Sequence, residues 1–283
     1  MVFVAALAGA CAVPPPAVVP HAPVLLAIVT WNMHAGRGDL PQLVDDLRSG
    51  RAAGVPVTDF VLLLQEAIGG GAHDPVAFGR AQNLSTDYQA VRQTSRGVSG
   101  NAIVSTRPLL EPSAIDLPRQ RQARAALAAS IEIDGQHLFV VNAHFENRVS
   151  AARALFSDAA RARQADALLL AIPSAGPMIV GGDFNTWLGP NEQAWRKMAA
   201  RFPDTPGPPF TPTFRGRLVL DHLFFDVPGD WKVARLVARE PYGSDHRPVI
   251  GIVSKSQIPN PKSQIPTELG ETPHSRSNSG FGI

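Results

Sequence analysis

Residues 178–185 read Met-Ile-Val-Gly-Gly-Asp-Phe-Asn, an apolar run that ends in an acid and an amide. Buried strands typically read as short, continuous apolar runs. A carboxylate or an amide is a costly core residue, because its burial without a partner is unfavourable. The run therefore predicts a buried strand that delivers Asp183 and Asn185 to a polar rim.

Five further strand-like stretches carry polar side chains in a similar place. The residues are Asn32 after 28–31, Glu66 after 61–65, His144 after 139–143, Asp221 within 218–225, and Asp245 with His246 at the end of the last strand-like stretch, 244–248. If these stretches converge on one rim, they form a pocket of carboxylate, amide and imidazole groups. Such groups bind hard divalent cations and transfer protons.

The composition fits a folded domain with a sizeable core. The chain has 283 residues, of which 45% are hydrophobic and 18% charged, with a formal net charge of +2. Its basic residues form no Lys/Arg run, so the charge pattern alone predicts no nucleic-acid patch. No stretch approaches the roughly 18 apolar residues of a membrane span, and we expect no transmembrane segment.

The first 22 residues are predicted to be a leader followed by a proline-rich linker. Cys11, the single cysteine, follows a short apolar segment that is similar to the cleavage box of bacterial lipoproteins. The start lacks the positive region of a signal peptide. Two interpretations stay open: an extracytoplasmic or membrane-anchored protein with a lipid anchor at Cys11, or a cytoplasmic protein with a disordered leader.

The globular domain is predicted at 23–254. After it, Lys-Ser-Gln-Ile-Pro at 255–259 recurs at 262–266, and Ser, Pro, Asn and Gly fill much of the rest. A segment with so little apolar content cannot form a packed core. We therefore expect 255–283 to be a disordered tail.

Hydrophobic patterning predicts ten strands and four helices in the domain. The predicted strands are 24–31, 60–65, 88–92, 102–105, 126–133, 138–144, 178–182, 219–225, 232–238 and 249–253. The predicted helices are 40–53, 75–84, 150–171 and 192–200. Asp134 and Gly135 predict a hairpin turn, and Ser150 is the predicted cap of the third helix. Many strands with few helices favour a mixed sheet or two packed sheets with outer helices.

Seven short motifs, in this order, make the chain resemble the endonuclease/exonuclease/phosphatase superfamily over about residues 24–253. The motifs are Thr30-Trp31-Asn32, Leu64-Gln65-Glu66, Gly100-Asn101-Ala102-Ile103-Val104-Ser105, Val141-Asn142-Ala143-His144, Gly182-Asp183-Phe184-Asn185, Leu220-Asp221-His222 and Ser244-Asp245-His246-Arg247-Pro248. The resemblance implies an α/β fold, a four-layer sandwich of two packed mixed β-sheets with helices on the outer faces.

The resemblance also implies a metal site for Mg²⁺ or Mn²⁺. Glu66 matches the principal metal ligand of the family, with Asn32 beside it and Asp245 helping to bind the ion or its waters. Mg²⁺ needs few protein oxygens because it keeps several waters, so this small set suffices.

The remaining matched residues carry the catalytic roles of the family. His246 matches the general base, and Asp221 matches the acid that orients it. Asp183 and Asn185 match the pair that positions the attacking water and a phosphate oxygen. His144 matches the histidine that stabilises the phosphate charge or protonates the leaving oxygen.

These roles predict a divalent-metal-dependent hydrolase of phosphoester bonds that uses in-line attack of water. An endonuclease-like phosphodiesterase acting on nucleic acid is the first expectation for the substrate, and a phospholipid or small phosphoester is the alternative. Two other classes remain open: a binding module without turnover and a non-catalytic envelope lipoprotein. We expect a monomer. His222 departs from the family, since many members have an aromatic residue there.

Overall fold

The apolar runs of the sequence pair into two mixed β-sheets. The computed structural model describes residues 24–147, 154–206 and 211–255. The strands within these ranges are β1 Val24–Asn32, β2 Asp59–Gly69, β3 Ser85–Thr94, β4 Gly97–Ser105, β5 Leu110–Leu117, β6 Arg124–Ile133, β7 Gln136–His144, β8 Met178–Asp183, β9 Asp221–Asp226, β10 Trp231–Val237 and β11 Val249–Lys255. One sheet has the order β10-β11-β1-β2-β4-β3, and the other β5-β6-β7-β8-β9.

Four helices accompany the sheets. They are α1 Leu40–Arg48, α2 Pro75–Ala81, α3 Ala154–Ala171 and α4 Gln193–Arg201, and a short 3₁₀ helix spans Gly189–Asn191. α1 and α2 each follow an aspartate whose side chain accepts a backbone N–H of the first turn, and each has a proline within its first two residues. Both features favour helix initiation, because proline lacks the N–H that would be unpaired there.

Three apolar clusters separate the layers of the fold. The cluster between the sheets joins Ile28 and Leu63 to Leu127 and Ile179. A second cluster packs α1 on the outer face of the six-stranded sheet, and a third packs α3 and α4 on the outer face of the other sheet. The expected four-layer sandwich of two packed mixed sheets with outer helices is confirmed.

A polar bridge crosses the apolar layer between the sheets. Gln65 on β2 donates from Nε2 to Asn142 Oδ1 on β7 at 2.7 Å. Asn142 donates in return to the carbonyl oxygens of Leu64 and Ala102, each at 2.8 Å. Both side chains are fully buried. The bridge favours one register of the two sheets, because a different alignment would leave the buried amide of Asn142 without these partners.

Strand direction brings the polar strand ends to one rim. β1 and β2 run parallel and end side by side, with Asn32 opposite Gln65. β7 and β8 do the same, with His144 opposite Asp183. β9 runs antiparallel to β8, so that its first residue, Asp221, lies opposite Asp183. An acid at the start of an antiparallel strand therefore reaches the same rim as acids at the ends of parallel strands.

The structure corrects several element boundaries. β5 was not predicted, because it is an edge strand with mostly exposed residues. β2 continues to Gly69 instead of stopping at Gln65, and α1 stops at Arg48 instead of 53. The stretch 244–248 is not the end of a strand: it lies in the loop that precedes β11. The Asp134–Gly135 hairpin turn is confirmed, and both residues have positive φ.

Other predictions fall on residues that the structure does not describe. These are the leader with Cys11, the cap at Ser150 and the tail from residue 256 onward. Within the described ranges, no helix combines the length and hydropathy that crossing a bilayer requires.

Candidate active site at the strand-end rim

A cleft of about 430 Å³ opens at the rim where the polar strand ends meet. Six of the eight predicted site residues line it: Asn32, Glu66, Asp183, Asn185, Asp245 and His246. The other two lie directly behind this surface. Asp221 contacts His246, and His144 Nε2 lies 3.6 Å from Asp183 Oδ2. The structure therefore brings all eight into one constellation.

Glu66 reaches the cleft through a β-bulge. The pairing of β2 with β4 shifts between Leu64 and Ala67, and Glu66 adopts a left-handed backbone with φ 53°. Bulges of this kind redirect a side chain and often lie beside active sites. Glu66 Oε2 accepts the backbone N–H of Ala35 at 3.0 Å, while Oε1 is 3.9 Å from Arg92 Nη2. One carboxylate oxygen is thus held, and the other lies beyond hydrogen-bond distance of that arginine.

Asp183 is held by an amide side chain and a backbone N–H. Asn32 Nδ2 donates to Asp183 Oδ2 at 2.9 Å, and the N–H of Asn185 donates to Oδ1 at 3.0 Å. Burial raises the pKa of the Asp183 carboxyl to about 7, and the neighbouring Asp221 carboxylate adds to this effect. Asp183 therefore exchanges a proton near neutral pH.

His246 and Asp221 form a buried pair. His246 Nδ1 lies 2.8 Å from Asp221 Oδ2, a contact that assigns the proton to Nδ1. Burial disfavours the charged imidazole, but the Asp221 charge and hydrogen bond outweigh it and raise the pKa of His246 to about 9. Thr213 Oγ1 accepts the backbone N–H of Asp221 at 3.2 Å, and Ser244 Oγ accepts that of His246 at 3.0 Å. These two hydroxyls fix the backbone on both sides of the pair.

His144 is neutral and lies against a buried arginine. Arg124 Nη1 is 2.9 Å from His144 Nε2 and 3.0 Å from Nδ1. Burial, followed by the charges of Arg124 and Arg92, holds the pKa of His144 well below its usual range. Because the His144 imidazole is neutral, Arg124 supplies the positive charge on this side of the site.

Asp245 lies at the mouth of the cleft. Its Oδ1 is 3.2 Å from His34 Nδ1, and its Oδ2 accepts from Arg215 Nη2 at 3.1 Å. The Asp245 side chain is 19% exposed, compared with 65% for Arg215. Because the arginine is largely solvated, its contact with Asp245 is weak and replaceable.

Comparison with known proteins identifies the family of this chain. The model described as the Endonuclease/Exonuclease/phosphatase family matches residues 29–246. The chain belongs to this family. None of the curated proteins compared with it is similar enough in sequence to match.

Solved structures of the endonuclease/exonuclease/phosphatase family share the fold. An endonuclease/exonuclease/phosphatase from Beutenbergia cavernae has a TM-score of 0.63 at 19% identity, covering 82% of this chain and 72% of that one. D. rerio TDP2 with a single-strand DNA product has 0.56 at 18%, covering 81% and 98%. Sphingomyelinase C from Streptomyces griseocarneus has 0.55 at 18%, covering 82% and 100%. Members of the family are phosphoester hydrolases, so the chain is classed as a hydrolase of phosphoester bonds.

Two sets of residues in this family member offer ligands to a divalent cation. The buried trio of Asp183, Asp221 and His246 presents ligand atoms within 4.8 Å of one another. However, His246 Nδ1 and Asp221 Oδ2 already bond to each other. The second set is the predicted one, Glu66 with Asn32 and Asp245, all on the cleft surface. It consists of oxygens, the ligands that hard cations prefer. The two carboxylates fit such an ion, and Asn32 Oδ1 also accepts the backbone N–H of His34 at 2.9 Å.

Sequence reasoning missed several residues around the site. Arg124 begins β6 next to His144, and nothing in its own motif marks it. Trp187 and Phe214 line the cleft with ring centroids 5.6 Å apart, and the Phe214 ring is 4.8 Å from that of His246. The signal that could have found Trp187 is its position two residues after Asn185.

His222, the departure from the family pattern, is a packing residue. It is buried, its Nε2 lies 2.8 Å from Thr186 Oγ1, and its ring packs against Phe184 and Phe224. Burial, helped by the charge of Arg235, lowers the pKa of His222 to about 3. A neutral imidazole thus takes the place of an aromatic ring in the third apolar cluster.

Proposed function

We propose that the protein is a divalent-metal-dependent phosphodiesterase that cleaves single-stranded nucleic acid by in-line attack of water. The observation that carries the proposal is that Asp183 and His246, two groups able to transfer protons, line the same cleft as the carboxylates of Glu66 and Asp245. Asp183 has a pKa of about 7 and His246 a pKa of about 9. Groups whose pKa values are pushed apart in one site can act as acid and base in the same reaction.

The side chains of the cleft have separate roles in proton transfer and phosphate binding. Asp183, held by Asn32 and the N–H of Asn185, orients a water and accepts its proton. His246, which its raised pKa keeps protonated at neutral pH, gives a proton to the leaving oxygen, and Asp221 fixes its tautomer. In the charged form that its raised pKa favours, His246 also binds a phosphoryl oxygen. Phosphoryl transfer depends mainly on such positioning and charge stabilisation.

Glu66, with Asn32 and Asp245, would hold a cation such as Mg²⁺ or Mn²⁺. When bound, this ion supplies charge neutralisation for the phosphoryl oxygens. The bulge at Glu66 supports this assignment, because a left-handed backbone at a glutamate is unfavourable and persists where the surrounding structure enforces it. Arg124, with the neutral His144 beside it, would complete the positive side of the phosphate site.

The lining of the cleft supports nucleic acid over other phosphoesters. Trp187 and Phe214 present half-buried rings beside His246. The guanidinium of Arg215 lies 5.1 Å from the Phe214 ring centroid, in the same cleft. Aromatic rings stack on bases at about 1–3 kcal/mol per base, and arginine adds phosphate attraction. The chain shares its fold with a TDP2 structure that contains a single-strand DNA product, and this agrees with the proposal.

A substrate panel with metal controls tests the proposal. Oligonucleotides, base-free oligomers with the same phosphodiester backbone, bis-p-nitrophenyl phosphate, sphingomyelin and inositol phosphates are incubated with Mg²⁺, Mn²⁺, Ca²⁺ or EDTA. We expect Mg²⁺- or Mn²⁺-dependent cleavage of oligonucleotides, with slower cleavage of the base-free oligomers. Glu66→Gln should remove this activity, and Glu240→Gln, a change at an exposed acid, should not.

Two results would contradict the proposal in different ways. Hydrolysis confined to sphingomyelin or inositol phosphates would replace nucleic acid as the substrate class. Activity that persists both in EDTA and in Glu66→Gln would remove the metal.

A further inference from the structure

Arg235 is a charged residue in an apolar row. On β10, alternate residues face the other sheet, and Trp231, Val233 and Val237 belong to or pack against the cluster between the sheets. Arg235 lies between Val233 and Val237 in this alternation, so it is on the same face of the strand, and it is half-buried. Burial lowers the pKa of its guanidinium. A charge in this position is costly unless it finds polar partners.

The direct contacts of Arg235 are few. Its Nη1 lies 3.5 Å from the carbonyl oxygen of Leu223 on β9, at the limit of a hydrogen bond. Its Nη2 is buried and has no hydrogen-bond partner among the described residues. A buried donor of this kind calls for a partner, most often an ordered water.

Asp221 presents a matching acceptor. Its Oδ2 is bonded to His246 Nδ1, but its Oδ1 is buried without a hydrogen-bond partner in the described part of the chain. Asp221 is only 2% exposed. An unpaired carboxylate oxygen at such depth costs free energy in the same way as the unpaired Nη2 of Arg235.

Both residues line the same small cavity. It has a volume of about 20 Å³, and Thr211 and Thr213 also contribute to its wall. A polar cavity above about 10–15 Å³ holds one water if that water finds two to four polar partners. Arg235 Nη2 and Asp221 Oδ1, the two unpartnered atoms of the residues that line it, supply two such partners.

We propose that an ordered water in this cavity joins the Arg235 guanidinium to Asp221 Oδ1. Arg235 is then a positioning residue: it reaches across from the six-stranded sheet and holds the Asp221 carboxylate from behind, while His246 holds its other oxygen. Asp221 can no longer rotate away from His246 when substrate enters the cleft. The kinetic part of this inference rests on the proposed function; the structural part does not.

A purely structural role for Arg235 makes different predictions. β10 is an edge strand, and inward-pointing charges on edge strands prevent pairing with other chains. In that role, Arg235→Met would promote association and leave turnover unchanged. In the positioning role, Arg235→Met lowers kcat and leaves KM unchanged, because substrate does not touch Arg235.

Kinetics of three variants separate the two roles. Arg235→Met should lower kcat roughly tenfold, as expected for an outer partner of a catalytic group. Lys232→Met, on the same strand but exposed, should leave kcat unchanged. In an Asp221→Asn background, Arg235→Met should have no further effect on kcat. An unchanged kcat in Arg235→Met, or a full additional loss in the Asp221→Asn background, would overturn the inference.

A high-resolution crystal structure of the wild-type protein tests the geometry directly. We expect a water within about 3.2 Å of both Asp221 Oδ1 and an Arg235 Nη atom. A dry cavity, or an Arg235 side chain turned to solvent, would overturn the inference even if Arg235→Met failed to fold. If wild-type enzyme hydrolyses nothing, the proposed function fails while this measurement remains valid.

Discussion

Two of the buried ion pairs differ in where they lie: Asp221–His246 joins β9 to the loop before β11 and faces the cleft, whereas Arg161–Glu192 joins α3 to the residue before α4. Asp221 and His246 are 2% and 5% exposed, and Arg161 and Glu192 are fully buried. Arg161 Nε donates to Glu192 Oε1 at 2.6 Å. Burial and charge alone therefore do not distinguish the pair that faces the cleft from the pair that does not.

The difference lies in what the remaining polar atoms contact. Arg161 also donates to the carbonyl oxygen of Glu146, and Glu192 Oε2 accepts the N–H of Leu188. The Arg161–Glu192 pair thus fastens backbone segments beneath α3 and α4. In contrast, His246 Nε2 lies 3.9 Å from Asp245 Oδ1, beyond hydrogen-bond distance, on the wall of the cleft. The pair proposed to be catalytic keeps a ring nitrogen available on the cleft wall, whereas the Arg161–Glu192 pair uses its remaining atoms to hold backbone.

The largest expected effect is a loss of activity when the Asp221–His246 pair is disrupted. His246→Ala should lower kcat by about 10²–10⁴, the range typical of a lost general acid–base group. If Asp221 acts only through His246, Asp221→Asn with His246→Ala should be no slower than His246→Ala alone. Steady-state kinetics of the two single variants and the double variant measure this. Fully multiplicative losses would show that the two residues do separate jobs.

The next largest expected effect is a loss of stability when the Arg161–Glu192 pair is disrupted. Glu192→Gln should lower the free energy of unfolding by about 3–5 kcal/mol, because it leaves the Arg161 charge buried without a counter-charge. Asp166→Asn removes the exposed Asp166–Lys197 pair between α3 and α4 and should change it little. Urea denaturation compares the variants. Equal stabilities would mean that the buried pair contributes no more than a surface pair.

The smallest expected effect is the pH dependence of stability in metal-free protein. The pKa of His246 is raised to about 9, against about 6.5 in an unfolded chain. The folded state therefore keeps a proton that the unfolded state has lost, and the stabilisation present below pH 6.5 disappears as the pH rises through about 9. Thermal unfolding in EDTA between pH 6 and 10 should show this decline in wild type. A decline of the same size in His246→Gln would assign it to other groups.

The sequence predicted the rim well because strand ends leave a clear trace. Asn32, His144 and Asp183 follow apolar runs, and the parallel pairs β1–β2 and β7–β8 bring such ends together. The position of Asp221 at the rim has a different origin. It starts its strand, and only the antiparallel pairing of β9 with β8 places it opposite Asp183.

Other features depend on tertiary structure and left no trace in local patterning. The bulge at Glu66 arises from the mismatch between β2 and β4, which no single strand reveals. Arg124 gains its contact to His144 from the pairing of β6 with β7. β5 escaped prediction because an edge strand with exposed side chains lacks a continuous apolar run.

The first and last described strands are neighbours in one sheet. This arrangement affects when the domain can finish folding during its synthesis. β11 is the antiparallel neighbour of β1, with Val24 opposite Lys255. During synthesis on the ribosome, β1 emerges long before its partner, and its unpaired edge remains open to misassembly. His246 emerges just ahead of β11. A nascent chain therefore cannot complete the cleft until nearly the whole domain has been translated, and nonsense fragments that end before residue 246 should have no hydrolytic activity.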